Sequence, residues 1–405
     1  MRILFIGEAV TLSHVVRPMV LARAAAAAGH HVEFAFDRRF EAILGPLPFR
    51  TIPLTSAFPA HVAAERLKYS APVFDTAILD RYVQQDLRLI GLTRPDLVVG
   101  DMRQSLAISA RLAGVPYAAV INAHWSPFSR EPMTPAVHPL HGVLGRRSFE
   151  AVFEALFPLG SAYYTLPYNT VRAKYGLPVA SIDIHDLFTD ADYVLHPDVP
   201  SITPTEGAPP THRFIGPIVW SAETPLPPWW DAVPADRPVV AVNLGSSGEP
   251  RLLDAVVTAL RAEGVTALVA TAGRRDIPSE PPWLYTTDFL PADQAAERAD
   301  LVVCSGGCMP VHPILRVGRP ILSLPANLDQ LMTARMFTRL GLGEHLEDET
   351  KVSAASVRTL ANRILGQPRY RRAAEAIAPQ LAAIDPGAAF LQLVGEIEGG
   401  AVAAA

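Results

Sequence analysis

The chain has 405 residues, too many for one ordinary hydrophobic core, so two domains are expected. Hydrophobic residues are 49% and charged residues 19%, which excludes a disordered chain, and a net charge of -5 with a pI near 6.2 argues against a nucleic-acid partner. Two cysteines, Cys304 and Cys308, are too few for a disulfide framework or a cysteine-built zinc site, so they read as small buried side chains and no metal is expected.

The N-terminus "MRILFIGEAV" reads as a first strand, since its apolar run is too short for a signal peptide, and no apolar run is long enough to span a bilayer. A cytoplasmic location is the expectation. "RILFIG" is a buried strand, "HVVRPMVLARAAAAAGH" a helix with Pro18 near its start and Gly29 as its stop, and "HVEFAF" a second strand. "PDLVVGD" is a strand, "QSLAISARLAG" a helix stopped by Gly114, and "PYAAVIN" another strand. Continuous apolar strands separated by helices predict an α/β, doubly wound parallel sheet covered on both faces.

Residues 201–238 are rich in proline and carry little periodicity, which predicts a linker after an N-terminal domain of residues 1–200. The alternation restarts with "VVAVNL", the turn "GSSGEP" and the helix "RLLDAVVTALRAEG". "TALVAT", "LYTTDF", "LVVC" and "PILSLP" follow as strands, with "DQAAERA" and "VHPILRV" as helices, so a second Rossmann-like domain is predicted over 239–385. An amphipathic helix and tail, 386–405, are free to pack on either domain, the N-terminal one included. Two such domains would leave a cleft, and ligands of these sheets bind beyond the carboxyl ends of the strands.

The strand ends therefore matter most. After the first strand, "GEAVTLSH" offers Gly7 for a tight turn, Ser13 as a helix N-cap and His14 in the first helical turn. The positive end of the helix dipole disfavours a protonated imidazole, so His14 suits a general base, or else it caps and packs. Asp101 ends "LVVGD", where it could orient His14 or cap a helix starting near Gln104. In the second half, Gly245 and Ser246 begin a turn between strand and helix. "CSGGCMP" makes another, with Cys304, the Ser305 hydroxyl, Gly306 and Gly307 for close approach, and Pro310 at the first position of the next helix. "LPANLDQ" brings Asn327, Asp329 and Gln330 past a further strand, a set suited to sugar hydroxyls or to an ordinary capped loop. The loop 122–142 carries Trp125 and Phe128, which read either as the wall of an apolar acceptor pocket or as core.

Four segments together resemble the family 1 glycosyltransferases of the GT-B fold, especially bacterial enzymes acting on natural products. "SHVVRPMVLARAAAAAGHHVEFA" is similar to the family's opening, where a G/S-H-x-x-P segment leads a helix. "DLVVGDMRQSLAISARLAGVPY" resembles the strand with the catalytic aspartate. "DFLPADQAAERADLVVCSGGCMPVHPILRVGRPILSLPANLDQ" resembles the donor-binding signature, and "RMFTRLGLGEHLE" the segment that follows it. The resemblance implies two Rossmann-like domains and inverting transfer from a TDP- or UDP-sugar to a hydroxyl or other nucleophile of a small apolar or aromatic acceptor. His14 would be the base and Asp101 its orienting partner. Phe289 and Leu290 would meet the nucleotide base, Ser246 and residues 304–311 the diphosphate, and Asp329 and Gln330 the donor sugar. Helix N-termini would stabilise the leaving diphosphate, so neither metal nor other cofactor is expected, and a homodimer is left open.

One departure stands out. Relatives carry a phosphate-contacting histidine where this chain has Cys304, and a Ser/Thr around 309–311, where it has Met309, Pro310 and Val311. His312, one turn on, is the candidate to compensate. Two rivals follow: a nucleotide-sugar epimerase of the same fold, which would need acid/base carboxylates that the first domain does not clearly show, and a catalytically silent relative that binds a ligand or partner through an eroded diphosphate site.

Overall fold

The computed structural model describes residues 1–56, 62, 66, 72–133, 146–222, 224–245, 251–261, 263–347 and 351–400. The chain divides into two compact units, one of Met1–Ile218 with Ile384–Ala405, the other Val219–Ala383.

The first unit is built on seven strands: β1 (Arg2–Gly7), β2 (His31–Phe36), β3 (Arg50–Pro53), β4 (Leu97–Asp101), β5 (Tyr117–Val120), β6 (Tyr193–His196) and β7 (His212–Phe214). They form one parallel sheet in the order β3-β2-β1-β4-β5-β6-β7. Helices α1 (Ser13–Ala27), α2 (Thr76–Thr93), α3 (Leu106–Ala113) and α4 (Arg146–Lys174) alternate with the strands. β1 is buried at five successive positions because helices cover both of its faces, and Ile3, Leu4, Phe5 and Ile6 are all within 1% of full burial. Each such side chain contributes about 1.5–3 kcal/mol over an exposed one.

Gly29, in the left-handed region at φ 87°, follows α1 as the sequence predicts. Ser13 is not the N-cap: Leu12 occupies that position with no side-chain cap, and Ser13 is the first helical residue. The stretch expected to be a linker holds β7, a three-residue edge strand of the first sheet. An edge strand this short, half-buried at every position, leaves no period in the sequence.

The last helix, Pro386–Glu398, belongs to the first unit. Phe390 meets Phe5 edge-on at 5.7 Å between ring centroids, Arg213 pairs with Glu396, and the N-terminal ammonium reaches Glu398 at 2.8 Å. Gly387 is required there, since a Cβ would stand 2.9 Å from that of Ala24 on α1. By length and composition alone Pro368–Glu398 is apolar enough to cross a membrane. The chain breaks it into helices of 15 and 13 residues, each short of the roughly 20 that a span needs.

The second unit has six parallel strands: β8 (Val239–Asn243), β9 (Thr266–Ala270), β10 (Leu284–Thr287), β11 (Leu301–Cys304), β12 (Ile321–Ser323) and β13 (Gly343–His345), ordered β10-β9-β8-β11-β12-β13. Its helices are α5 (Leu252–Leu260), α6 (Ala292–Arg298), α7 (Cys308–Arg316), α8 (Leu328–Arg339), α9 (Ala354–Gly366) and α10 (Pro368–Ala382). The strand order reverses between β1 and β4 in the first unit and between β8 and β11 in the second. Such reversals open a crevice at the carboxyl ends of the two strands, which is where the sequence candidates fall.

Candidate active site

In the first unit, Gly7 of β1 lies in register with Asp101 of β4, across the reversal point. The turn after Gly7 returns as α1 very close to its strand. A Cβ on Gly7 would stand 2.9 Å from Val15 Cα and 3.1 Å from the His14 carbonyl. Gly7 therefore does more than permit a turn: it lets the first turn of α1 sit against the strand end, with His14 facing Asp101. Gly7→Ala is expected to push α1 outward, costing about 1–3 kcal/mol of overpacking in urea unfolding and lowering turnover at saturating donor.

His14 Nδ1 lies 2.7 Å from Asp101 Oδ1. A carboxylate only accepts, so in the neutral imidazole the proton sits on Nδ1 and Nε2 keeps its lone pair. The imidazole retains 19% of its exposure while Asp101 retains none. Asp101 does not cap a helix near Gln104, because α3 starts at Leu106 with Ser105 in the cap position. Burial by itself would raise the Asp101 pKa. The Arg17 and His14 charges and hydrogen bonds outweigh it and hold the carboxyl below its usual range.

Sequence reading missed Arg17. Its Nε and Nη2 donate to the two Asp101 oxygens at 2.7 and 2.8 Å, and its Nη1 donates to Asn122 Oδ1 at 2.5 Å. Its position three residues after His14, on one helix face, was the available signal. The G/S-H-x-x-P pattern would put proline at 17; here proline comes one residue later, and Arg17 holds that place.

A second buried cluster braces both strand-end loops. Met102, the residue after Asp101, is left-handed at φ 55°, a conformation that costs a non-glycine residue free energy. Beyond it, Arg103 donates to Glu8 Oε2 at 2.6 Å, to Asp86 Oδ1 at 2.9 and 3.1 Å, and covers the Tyr82 ring at 3.5 Å. Glu8 also accepts from Tyr82 at 3.1 Å and from Ser56. Glu8 precedes α1 and Arg103 follows β4, so this ion pair ties the His14 loop to the Asp101 loop. Burial pushes the Asp86 carboxyl up, and the nearby Glu8 charge adds to that, against the opposing pull of Arg103.

Trp125 is 9% exposed and packs against Phe188 at 5.0 Å between centroids. Phe128 is half-buried against His212, and residues 134–142 of the same loop lie outside the described residues.

In the second unit, Asn243 of β8 and Cys304 of β11 are in register across the other reversal point. Gly245, at φ 67°, donates its N–H to Asn243 Oδ1 at 2.9 Å, and its carbonyl accepts from Arg274 at 3.3 Å. Ser246 lies outside the described residues. Cys304 is 1% exposed, and burial pushes its thiol up to about 11, against the pull of the Gly306 N–H and Ser323 hydroxyl. It is therefore neutral near pH 7 and brings no charge to an anion. It lines a cavity of about 20 Å³ with Asn243, Leu290, Pro310 and Ile314.

Gly306 is left-handed at φ 87°, and a Cβ there would stand 3.0 Å from that of Ser323, so only glycine fits. Gly307 is the N-cap of α7, which places Pro310 at the third helical position and not the first. Ser305 and His312 are both 2% exposed. Asn327 caps α8 by accepting from the Gln330 N–H at 3.0 Å, so the asparagine and not Asp329 is the cap. Gln330 Oε1 accepts from the Ala326 N–H at 2.8 Å, and the Gln330 stem lies 3.7 Å from where a Gly307 Cβ would be. The α7 N-terminus and the start of α8 thus come together around the glycine pair. Leu290 is buried, whereas its neighbour Phe289 is 51% exposed, a free ring face beside the β8–β11 crevice elements.

A family model described as the erythromycin biosynthesis protein CIII-like C-terminal domain matches residues 250–390. A PGL/p-HBAD biosynthesis glycosyltransferase of Mycobacterium tuberculosis (strain ATCC 25177 / H37Ra) is 40% identical over 384 residues, 94% of this chain and 90% of that protein. An inactive PGL/p-HBAD biosynthesis glycosyltransferase of Mycobacterium bovis (strain BCG / Pasteur 1173P2) is 42% identical over 259 residues, 64% of this chain and 70% of that protein. The solved spinosyn rhamnosyltransferase SpnG complexed with thymidine diphosphate has a TM-score of 0.70 over 97% of this chain and 100% of that one, at 20% identity.

Proposed function

This chain belongs to the family 1 glycosyltransferases, and from that premise we propose that it moves a sugar, with inversion, from a nucleoside diphosphate to a hydroxyl or other nucleophile of a small apolar acceptor. The observation that carries the reading is the 2.7 Å pair of His14 and Asp101 at the β1–β4 reversal. His14 Nε2 takes the acceptor proton, and the Nδ1–H bond to Asp101 stabilises the imidazolium that forms. The acceptor oxygen attacks the anomeric carbon from the face opposite the diphosphate, and the C–O bond to the diphosphate breaks. The leaving group is held by the Gly306–Gly307 turn and the first N–H groups of α7, which draws on amide dipoles in place of a metal. Asp329 and Gln330 hold sugar hydroxyls, and Phe289 offers a ring face to the nucleotide base. A TDP-sugar is the first donor to try, since the similar SpnG structure holds thymidine diphosphate.

One observation favours the silent alternative: the neutral, buried Cys304 removes a charge from the diphosphate turn, and one relative is named inactive. A panel of TDP- and UDP-sugars, read by thermal shift and by turnover, separates the two. A donor-dependent shift with transfer or slow donor hydrolysis supports the enzyme; a shift without either supports the silent protein; no shift with any donor sinks the donor-site assignment. Cys304→His restores the donor that this turn lacks, and the neighbouring cavity gives part of the room for an imidazole. Calorimetry is expected to show about tenfold tighter donor binding, the effect of one recovered hydrogen bond to a charged group.

A further inference from the structure

We infer that one exposed face of α4 pairs with the same face of a second copy of this chain. α4 runs from Arg146 to Lys174, and its two sides differ. One side is seated on the first unit. Ser161, Thr165, Tyr168 and Val171 are buried there, and the Ser161 hydroxyl accepts from the Ile184 N–H at 2.7 Å. Phe157 and Tyr164 meet His185 and Phe188 at 6.0 and 6.1 Å between ring centroids. Trp125 packs against the same His185 and Phe188, so the acceptor candidate belongs to this seated side. The other side carries Val152, Leu156, Leu159, Tyr163 and Leu166, each between 46% and 70% exposed. Single exposed apolar residues are ordinary on a monomer, but a contiguous row of them marks a contact surface.

The row has the geometry of a helix seam. Its intervals are 4, 3, 4 and 3 residues, the spacing with which one helix packs along another. It is also symmetric. Leu159 is the middle member, Leu156 and Tyr163 flank it, and Val152 and Leu166 each stand seven residues away. An antiparallel pair with a two-fold axis at Leu159 sets Leu159 against itself, Leu156 against Tyr163 and Val152 against Leu166. That is the self-complementary contact of a closed dimer. The patch continues beyond the helix. Asn169 accepts from the Ala180 N–H at 3.1 Å and donates to the Ser181 carbonyl at 2.8 Å, which brings the exposed Val179 and Ile182 back along the last turns of α4. At roughly 100 Å² for each of the seven side chains, one copy offers on the order of 700 Å², near the ~800 Å² that each partner gives to a standard interface. Charge favours a protein partner over a lipid surface. A helix lying on a membrane carries Lys and Arg beside its apolar face, and the sequence has neither between Glu150 and Arg172. Glu154, the one charge in that stretch, falls at opposite ends of the antiparallel pair in the two copies.

Sedimentation velocity on the full chain over a range of concentrations is expected to show a reversible dimer. Leu159→Glu puts two carboxylates face to face on the axis and should weaken it by about 100-fold or more. Leu92→Glu, on an equally exposed leucine of α2, should leave it unchanged. Register is read by oxidation: Leu159→Cys should cross-link with itself, whereas Val152→Cys and Leu166→Cys should cross-link only when the two variants are mixed. The native Cys304 and Cys308 are buried and take no part. A chain that stays monomeric throughout, or a dimer that Leu159→Glu leaves intact, overturns the inference. Self-cross-linking of Val152→Cys overturns the antiparallel pairing. A monomer that binds phosphatidylcholine vesicles, and loses them in Leu159→Glu, overturns it in favour of a lipid surface.

Discussion

His14→Ala is expected to lower the transfer rate by about 10²–10⁴-fold, the range for losing a positioned general base. Donor affinity should not change, because His14 belongs to the first unit and the proposed donor-holding residues to the second. Stability should fall little: the imidazole is partly exposed, and Asp101 keeps its bidentate hold on Arg17. The measurement is single-turnover transfer at saturating donor and acceptor, with donor Kd from calorimetry and unfolding in urea alongside. A rate within threefold of the parent would refute the assignment. A large loss accompanied by weakened donor binding would point to disruption of the fold and not of the chemistry.

Asp101→Ala should do more, because it strikes stability and chemistry together. Removing the carboxylate takes two hydrogen bonds from the Arg17 guanidinium in a site where it is 5% exposed, while its bond to Asn122 remains. Breaking a buried pair from one side costs about 3–5 kcal/mol. Turnover should fall by about 10³–10⁴-fold, since His14 loses both its tautomer and the stabilisation of its charged form. Asp101→Asn, which keeps shape and one acceptor, should recover part of the stability but little of the rate. The pH dependence has a definite sign. The folded Asp101 pKa is depressed, so its contribution is complete above the unfolded carboxyl range near ~4 and is lost as pH falls through the lower folded value. The stability gap between parent and variant should therefore be widest near neutrality and narrow in acid. A gap independent of pH would mean that Arg17 and His14 do not hold Asp101 ionised.

Much of the fold is legible in the sequence. The strands β1, β2, β4, β5, β8, β9, β11 and β12 are largely apolar runs, and such runs have one comfortable place, the interior of a covered parallel sheet; β10, also read from the sequence, lies at a sheet edge. The edge elements β3, β7 and β13 were not legible, because three or four half-exposed residues carry no period. Helix caps are not fixed by the local sequence where two candidates stand close together. Ser13 lost its place to Leu12, and Asn327 took the role that Asp329 could have filled, since which residue turns non-helical depends on how the helix meets its strand.

The sequence by itself determined two Rossmann-like sheets and the presence of a histidine just after β1 and an aspartate at the end of β4; the strand orders and their reversal points came from the fold. The sheets and the two residues follow from local chemistry: apolar runs, glycine stops, and polar residues placed where strands end. Only the tertiary structure decided what surrounds the pair. Arg17 and Asp101 are 84 residues apart in the chain and 2.7 Å apart in the fold. Glu8, Asp86 and Arg103 come from three separate elements into a site without water contact. Whether a charge helps or hinders depends on its distance from other charges and on the water removed around it, and neither quantity is written in a local stretch of sequence. The same holds for Cys304, whose thiol is pushed up to about 11 by its burial at the end of β11, a property of the fold and not of a local stretch of sequence.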